Sequence, residues 1–253
     1  MSQVIVLPKM SNKRKYTESM GSSIIQRNVR RRFARRSTVA SANRIPRTMR
    51  DFPKEMRVKL KYSYCRDFTV GSGPNPNFVA FRANSVFDPE AAIGGGVPTG
   101  FSQWSNFYST YTVVKSSCKM RMLDQNTDST TTGTFNGLMG ISIRDSASPV
   151  PVPTQEVLIT DSDSNYRANS SYTPDDRVSL YFNSSKYFGV KDILDNAELS
   201  GLTGTLAGTN PSRQVYYLVW GNQRTTGGAP SQLCTLEVLL EYDVVFRQPA
   251  DIA

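Results

Sequence analysis

The chain of 253 residues contains no histidine. That removes the commonest general base and the commonest zinc ligand together. Cysteine is scarce. Cys65, Cys118 and Cys234 lie far apart and form no Cys-x-x-Cys pair. They read as small buried apolar residues of a reducing compartment, not as a disulfide framework. Long apolar runs are missing too: no window approaches the roughly eighteen apolar residues that a spanning helix needs, so no membrane partner is expected. Val4-Ile5-Val6-Leu7 is too short for a secretory core, and Pro8 and Lys9 follow at once. Without a secretory signal, the sequons at Asn169 and Asn183 read as accidental. Gly94-Gly95-Gly96 has no following Lys-Ser/Thr, so it is no phosphate-binding P-loop, and there is no nucleophile elbow. The sequence therefore predicts a protein that is not an enzyme and takes no cofactor.

Acid is nearly absent from one region. Residues 1–50 hold thirteen Lys/Arg and one acid, Glu18, a charge of +12. The remaining 203 residues hold seventeen Lys/Arg and twenty Asp/Glu, a charge of −3. The chain is thus a near-neutral body, residues 51–253, with a cationic arm, residues 1–50, and such an arm points to a polyanion. The densest stretch is Arg27 to Arg36, with six arginines in ten residues. The arm has no sustained apolar period and reads as disordered in isolation. Ile25, Val29 and Phe33, spaced by four, would give it a thin apolar stripe if phosphates allowed a helix.

The body reads as strands. From Arg57 to Val70, Val58, Leu60, Tyr62, Tyr64, Phe68 and Val70 alternate with Arg57, Lys59, Lys61, Ser63, Asp67 and Thr69. Period two over that length is a strand with one buried side. Further strands are predicted over Phe78–Phe87, Thr112–Leu123, Phe135–Ile143, Arg177–Phe182, Arg213–Trp220 and Thr235–Arg247, with an eighth candidate at Val157–Thr160. The Arg213–Trp220 stretch is apolar on both faces and reads as a doubly covered central strand. Phe101, Trp104, Tyr108 and Tyr111, at helical spacing, predict a short helix with an aromatic face used for core packing. A second short helix is predicted over Val190–Ala197, closed by Gly201. Polar loops are expected at Asp124–Thr132 and Asp161–Asp176. Two short helices are too few for repeated βαβ units, so the fold class is all-β, a sandwich or jelly roll.

One acidic stretch resembles a metal loop. Asp161-Ser162-Asp163-Ser164-Asn165 opens like a calcium loop, but Tyr166 stands where glycine is required and Tyr172 where the bidentate Glu belongs. It reads as a solvated acidic loop, and no metal ligands are assigned.

The arm carries the functional signal. Arginine pairs with phosphate oxygens through a planar fork and stays charged at any working pH. The predicted nucleic-acid-binding residues are Lys13, Arg14, Lys15, Arg27, Arg30, Arg31, Arg32, Arg35, Arg36, Arg44, Arg47 and Arg50 of the arm. Arg57, Lys59 and Lys61, on the cationic side of the first strand, extend the set. If all twelve net charges engage a single strand, the salt slope is roughly −8. Tyr16 and Phe33 are the arm's aromatic residues, so base stacking there is minor and binding is insensitive to sequence. Lys13-Arg14-Lys15 and Arg30-Arg31-Arg32 also fit a two-part nuclear localisation signal.

The body carries a family likeness. Phe81-Arg82-Ala83-Asn84-Ser85-Val86-Phe87-Asp88-Pro89 is followed by Gly100-Phe101-Ser102-Gln103-Trp104 and Tyr108-Ser109-Thr110-Tyr111-Thr112-Val113. Tyr216-Tyr217-Leu218-Val219-Trp220 and Leu240-Glu241-Tyr242-Asp243-Val244-Val245-Phe246-Arg247-Gln248-Pro249 close the chain. In this order and spacing, over most of residues 56–249, the sequence resembles the capsid proteins of circular, Rep-encoding single-stranded DNA viruses, the circovirus-like group. The resemblance implies a single jelly roll that self-assembles into a small icosahedral shell. It also implies an arm facing the packaged circular genome and carrying the nuclear import signal. The partners it implies are viral single-stranded DNA, further copies of the chain and host nuclear import receptors. The places it implies are the virion and, during assembly, the host nucleus. Composition alone fits the capsid of a small RNA virus equally. A non-assembling single-strand-binding or movement protein would share the arm. A metal-dependent nuclease would need Asp161 and Asp163 to converge with other acids.

Overall fold

The alternation that starts near Arg57 becomes strand β1, Glu55–Thr69. Its inward residues Leu60, Tyr62, Tyr64 and Phe68 are buried, while Arg57, Lys59 and Lys61 point to solvent. The computed structural model describes residues 53–92, 95–124, 137–169, 177–195, 197–206, 208–223 and 232–249. The other strands are β2 (Asn77–Arg82), β3 (Tyr108–Asp124), β4 (Gly137–Arg144), β5 (Ser164–Asn169), β6 (Val178–Asn183), β7 (Thr203–Thr205), β8 (Tyr216–Gln223) and β9 (Leu233–Pro249). Among the described residues, three short helices join them: α1 (Phe101–Ser105), α2 (Gln155–Thr160) and α3 (Ser184–Phe188). A 3-10 turn covers Ala197–Leu202.

The named strands pair antiparallel, and four of the pairs are nested. β1 pairs with β9, β2 with β8, β3 with β6 and β4 with β5. Such a ladder is one long hairpin of four strand pairs. Pairing of β9 with β3 and of β8 with β4 then rolls it into two sheets. Their orders are β1-β9-β3-β6, with β7 beside β3, and β2-β8-β4-β5. Eight strands in this nested order are a jelly roll. The core lies between the sheets. Leu60, Met120, Leu236, Leu240 and Tyr242 of the first sheet meet Phe81, Met139, Ile141, Tyr217 and Val219 of the second.

Several predicted elements differ. The second strand stops at Arg82 instead of Phe87. The following backbone is satisfied by side chains. Tyr242 Oη donates to the Arg82 carbonyl at 2.8 Å, and Ser116 Oγ donates to the Ala83 carbonyl at 2.6 Å. Asn84 Oδ1 accepts from the Val215 amide at 3.0 Å. These bonds let residues 83–85 leave the ladder while buried. The aromatic helix is five residues long, and Tyr108 and Tyr111 belong to β3. The aromatics still pack together, with Trp104 stacked on Phe246 at 5.7 Å and Phe101 edge-on to Tyr111 at 5.9 Å. Burial pushes the Tyr111 hydroxyl up to about 12, against the pull of its hydrogen bond with Ser85.

Val157–Thr160 is not a strand but most of α2, started by Thr154, whose hydroxyl accepts from the Val157 amide. The expected helix at Val190–Ala197 is absent there. Its place is taken by the 3-10 turn at Ala197–Leu202 and by α3 just upstream. Asn183 caps α3 by accepting from the Ser185 and Lys186 amides, and Gly189 ends it at φ 71°. The polar stretch after Asp161 contains β5, an edge strand held by β4. Strand β8 is buried along both faces, as its apolar pattern predicts. Cys65 is exposed, contrary to expectation, because it lies on the outward side of β1, while Cys118 and Cys234 are buried.

Candidate nucleic-acid interface

The predicted arm residues Lys13, Arg14, Lys15, Arg27, Arg30, Arg31, Arg32, Arg35, Arg36, Arg44, Arg47 and Arg50 lie outside the described residues. The part of the predicted interface that the structure places is Arg57, Lys59 and Lys61 on β1. Their surroundings follow from strand register. Lys59 stands opposite Asp243 of β9, and Asp243 stands opposite Lys115 of β3. One row further, Lys61, Glu241, Ser117 and Tyr181 run across β1, β9, β3 and β6. Alternation puts all of these on the outer side of the first sheet.

The central strand β9 brings acids into a cationic face. Arg57 grips Asp243 with both arms of its fork, Nε to Oδ1 at 2.7 Å and Nη2 to Oδ2 at 2.5 Å. The hydrogen bond and charge of Asp243 raise the Arg57 guanidinium above its ordinary value. Glu241 takes Lys61 on one oxygen at 3.0 Å and Lys119 on the other at 3.1 Å. Hydrogen bonds from Lys61 and then Lys119 hold the Glu241 carboxyl below its ordinary value. Arg121 pairs with Glu237, and Arg247 with Glu55 and Asp195. The outer face is therefore largely an ion-pair ladder.

Two of the three predicted body cations, Arg57 and Lys61, are occupied by acids of β9. Lys59 is not: among the described residues no carboxylate lies within ion-pair distance of it. The same holds for Lys115, on the outer side of β3. Both lysines line a cleft of about 340 Å³ with Lys61 and Tyr181. The Tyr181 side chain is 71% exposed, the most open aromatic among the described residues. Strand alternation in Val178–Asn183 carries the signal for Tyr181, since Val178 and Phe182 are the buried positions. The two-residue offset between β3 and β6 that makes it a diagonal neighbour of Lys115 is not visible in sequence.

The acidic stretch at Asp161 builds no cation loop. Asp161 Oδ2 holds Arg144 at 2.5 Å, and Oδ1 accepts the Asp163 amide at 3.1 Å. Ser164 then enters β5. Among the described residues no three His, Cys, Asp or Glu side chains come together to hold a metal ion, and no helix is long and apolar enough to cross a membrane.

No family model matches the chain, and no curated protein matches it by sequence. Solved structures are similar in fold. The decameric BFDV capsid protein matches at 16% identity and TM-score 0.40, over 77% of this chain and 99% of that one. The 60-mer form of the BFDV capsid protein matches at 14% and 0.40, over 80% and 98%. A semi-empty virus-like particle of the giant freshwater prawn Macrobrachium rosenbergii nodavirus matches at 13% and 0.46, over 79% and 97%.

Proposed function

We propose that the chain is the subunit of a viral capsid, a structural protein that closes into a small icosahedral shell and packages a single-stranded genome. The observation that carries the reading is the joining of two unlike parts in one chain. A segment of fifty residues with a charge of +12 precedes a body with a charge of −3, and that body is a jelly roll in nested order. Charge of that size on an arm answers a polyanion, and a near-neutral sandwich with long loops and open sheet edges offers several contacts to copies of itself. The family likeness of residues 56–249 favours circular single-stranded DNA as the cargo. In this reading the arm condenses the genome inside the shell, and Lys13-Arg14-Lys15 with Arg30-Arg31-Arg32 also engages host import receptors.

The test is a full-length variant with Arg30, Arg31, Arg32, Arg35 and Arg36 replaced by Gln. Wild-type shells should contain nucleic acid that resists added nuclease and is digested by DNase, not RNase, after disruption. The variant should still form shells, with much less nucleic acid and a salt slope smaller by roughly 3.5. As a fluorescent fusion it should lose nuclear accumulation. A particle whose cargo is digested by RNase alone would move the reading to a small RNA virus. A wild-type chain that binds single strands but never assembles would move it to a single-strand-binding or movement protein.

A further inference from the structure

We propose that the outer side of the first sheet holds a nucleotide-binding subsite of the body itself, in which Tyr181 stacks a base and Lys59 and Lys115 hold phosphates. The proposal rests on the reading that this chain encloses a single-stranded genome, and it moves part of the contact off the arm.

Three observations converge on it. First, charge on this face is already spent except at two places. Arg57, Lys61, Lys119 and Arg121 each have a carboxylate of β9, whereas Lys59 and Lys115 have none among the described residues. A lysine without a carboxylate keeps its full attraction for a phosphate, while one in a good pair must first exchange a partner. Secondly, those two lysines flank the same residue, Asp243, in register. Asp243 is held by both arms of Arg57, so its charge is countered from the side and does not compete strongly for either lysine. Thirdly, the cleft that Lys59 and Lys115 line is walled by Tyr181. Tyr181 pairs with Ser117, and Lys115 pairs with Asn183 two positions on, which makes Lys115 and Tyr181 diagonal neighbours at about 7–8 Å.

An isolated exposed aromatic needs no explanation. A tyrosine 71% exposed, in a cleft with two lysines that have no carboxylate partner among the described residues, is an arrangement that suits single strands without sequence preference. Stacking on such a ring tolerates every base, since each has a π-face. Ser117, the residue opposite Tyr181, is small. Arg57 and Lys61 take no direct part. They hold the acids that would otherwise repel the strand.

The experiment uses full-length protein with an oligothymidylate carrying iododeoxyuridine, cross-linked by ultraviolet light and mapped by mass spectrometry. Cross-links are expected on arm peptides and on the peptide containing Tyr181. The double variant Lys59→Ala/Lys115→Ala should cut the Tyr181 cross-link by at least about fivefold, as loss of two phosphate contacts implies, and leave arm cross-links unchanged. Lys186→Ala, on α3, should change neither. Arm cross-links with none at Tyr181 would overturn the subsite and leave the shell reading intact. Absence of both cross-links and particles would overturn the shell reading itself. If Tyr181 is equally protected from hydroxyl radicals in shells with and without nucleic acid, a second copy of the chain covers it, and the subsite is again overturned.

Discussion

Glu241 is the residue on which the outer face of the first sheet turns. It sits on β9 between Lys61 and Lys119, one carboxylate oxygen to each. Its folded value is depressed by those two hydrogen bonds. A depressed carboxylate contributes stability that is present above its unfolded value, about 4.3, and is lost as pH falls through the lower folded value. Lys61 is largely exposed and Lys119 partly so, which leaves both pairs open to solvent, and each contributes only about 0.2–1 kcal/mol. Glu241→Gln should lower the Tm of the subunit by about 1–4 °C at pH 7. The gap should close as the pH falls through that lowered folded value, where wild type also loses the charge. A gap that stays unchanged through the whole acid range would assign the loss to packing instead. This ladder was only partly legible in the sequence. Alternation placed Arg57, Lys59 and Lys61 on one face and Glu237, Glu241 and Asp243 on another strand's outer face. Nothing local said that β9 would lie beside β1, because the paired residues are 186 positions apart in the case of Arg57 and Asp243.

Elements with strong period-two patterns were legible, and those whose conformation depends on a distant neighbour were not. β1, β3 and β9 each carry long alternation, and the structure forms each over a span that contains the predicted one or nearly so. β5 was hidden because Ser-Asn-Tyr-Arg-Ala-Asn has almost no strand-forming residues. It is a strand because β4 offers its edge. Tyr108 and Tyr111 follow the same rule in reverse: helical spacing is satisfied, but pairing with β9 draws them into β3. Gly140 shows why a glycine stands within β4. A Cβ there would lie 2.5 Å from Trp220 Cζ2 and 2.9 Å from the Asn165 carbonyl oxygen. Trp220 is fully buried on β8 and has no room to retreat. Gly140→Ala should therefore prevent accumulation of soluble folded protein or lower Tm by more than about 8 °C, as overpacking of a few kcal/mol implies. Wild-type Tm in a soluble Gly140→Ala variant would show that β4 and β8 are not packed this closely.

At the scale of the whole molecule the division of charge decides the account. The arm of residues 1–50 carries more than the entire net charge, and the body carries a small excess of acid. That split was fully legible, since it needs only counting. The nested strand order was not, because a sandwich and a jelly roll share the same local patterns and differ in which distant strands pair. A near-neutral body lets copies approach without strong mutual repulsion. One sheet ends in β1 and β6, and the other in β2 and β5. β1 exposes alternating Lys and Arg along its outer side, a pattern that discourages uncontrolled pairing of edges and favours contacts set by loops.

The central claim is assembly into a closed shell, and the most direct test is the size of the purified full-length protein by light scattering and negative-stain microscopy across salt and pH. The account predicts closed particles of one uniform diameter, formed by the wild-type chain alone. A protein that remains monomeric or dimeric in every condition would contradict it.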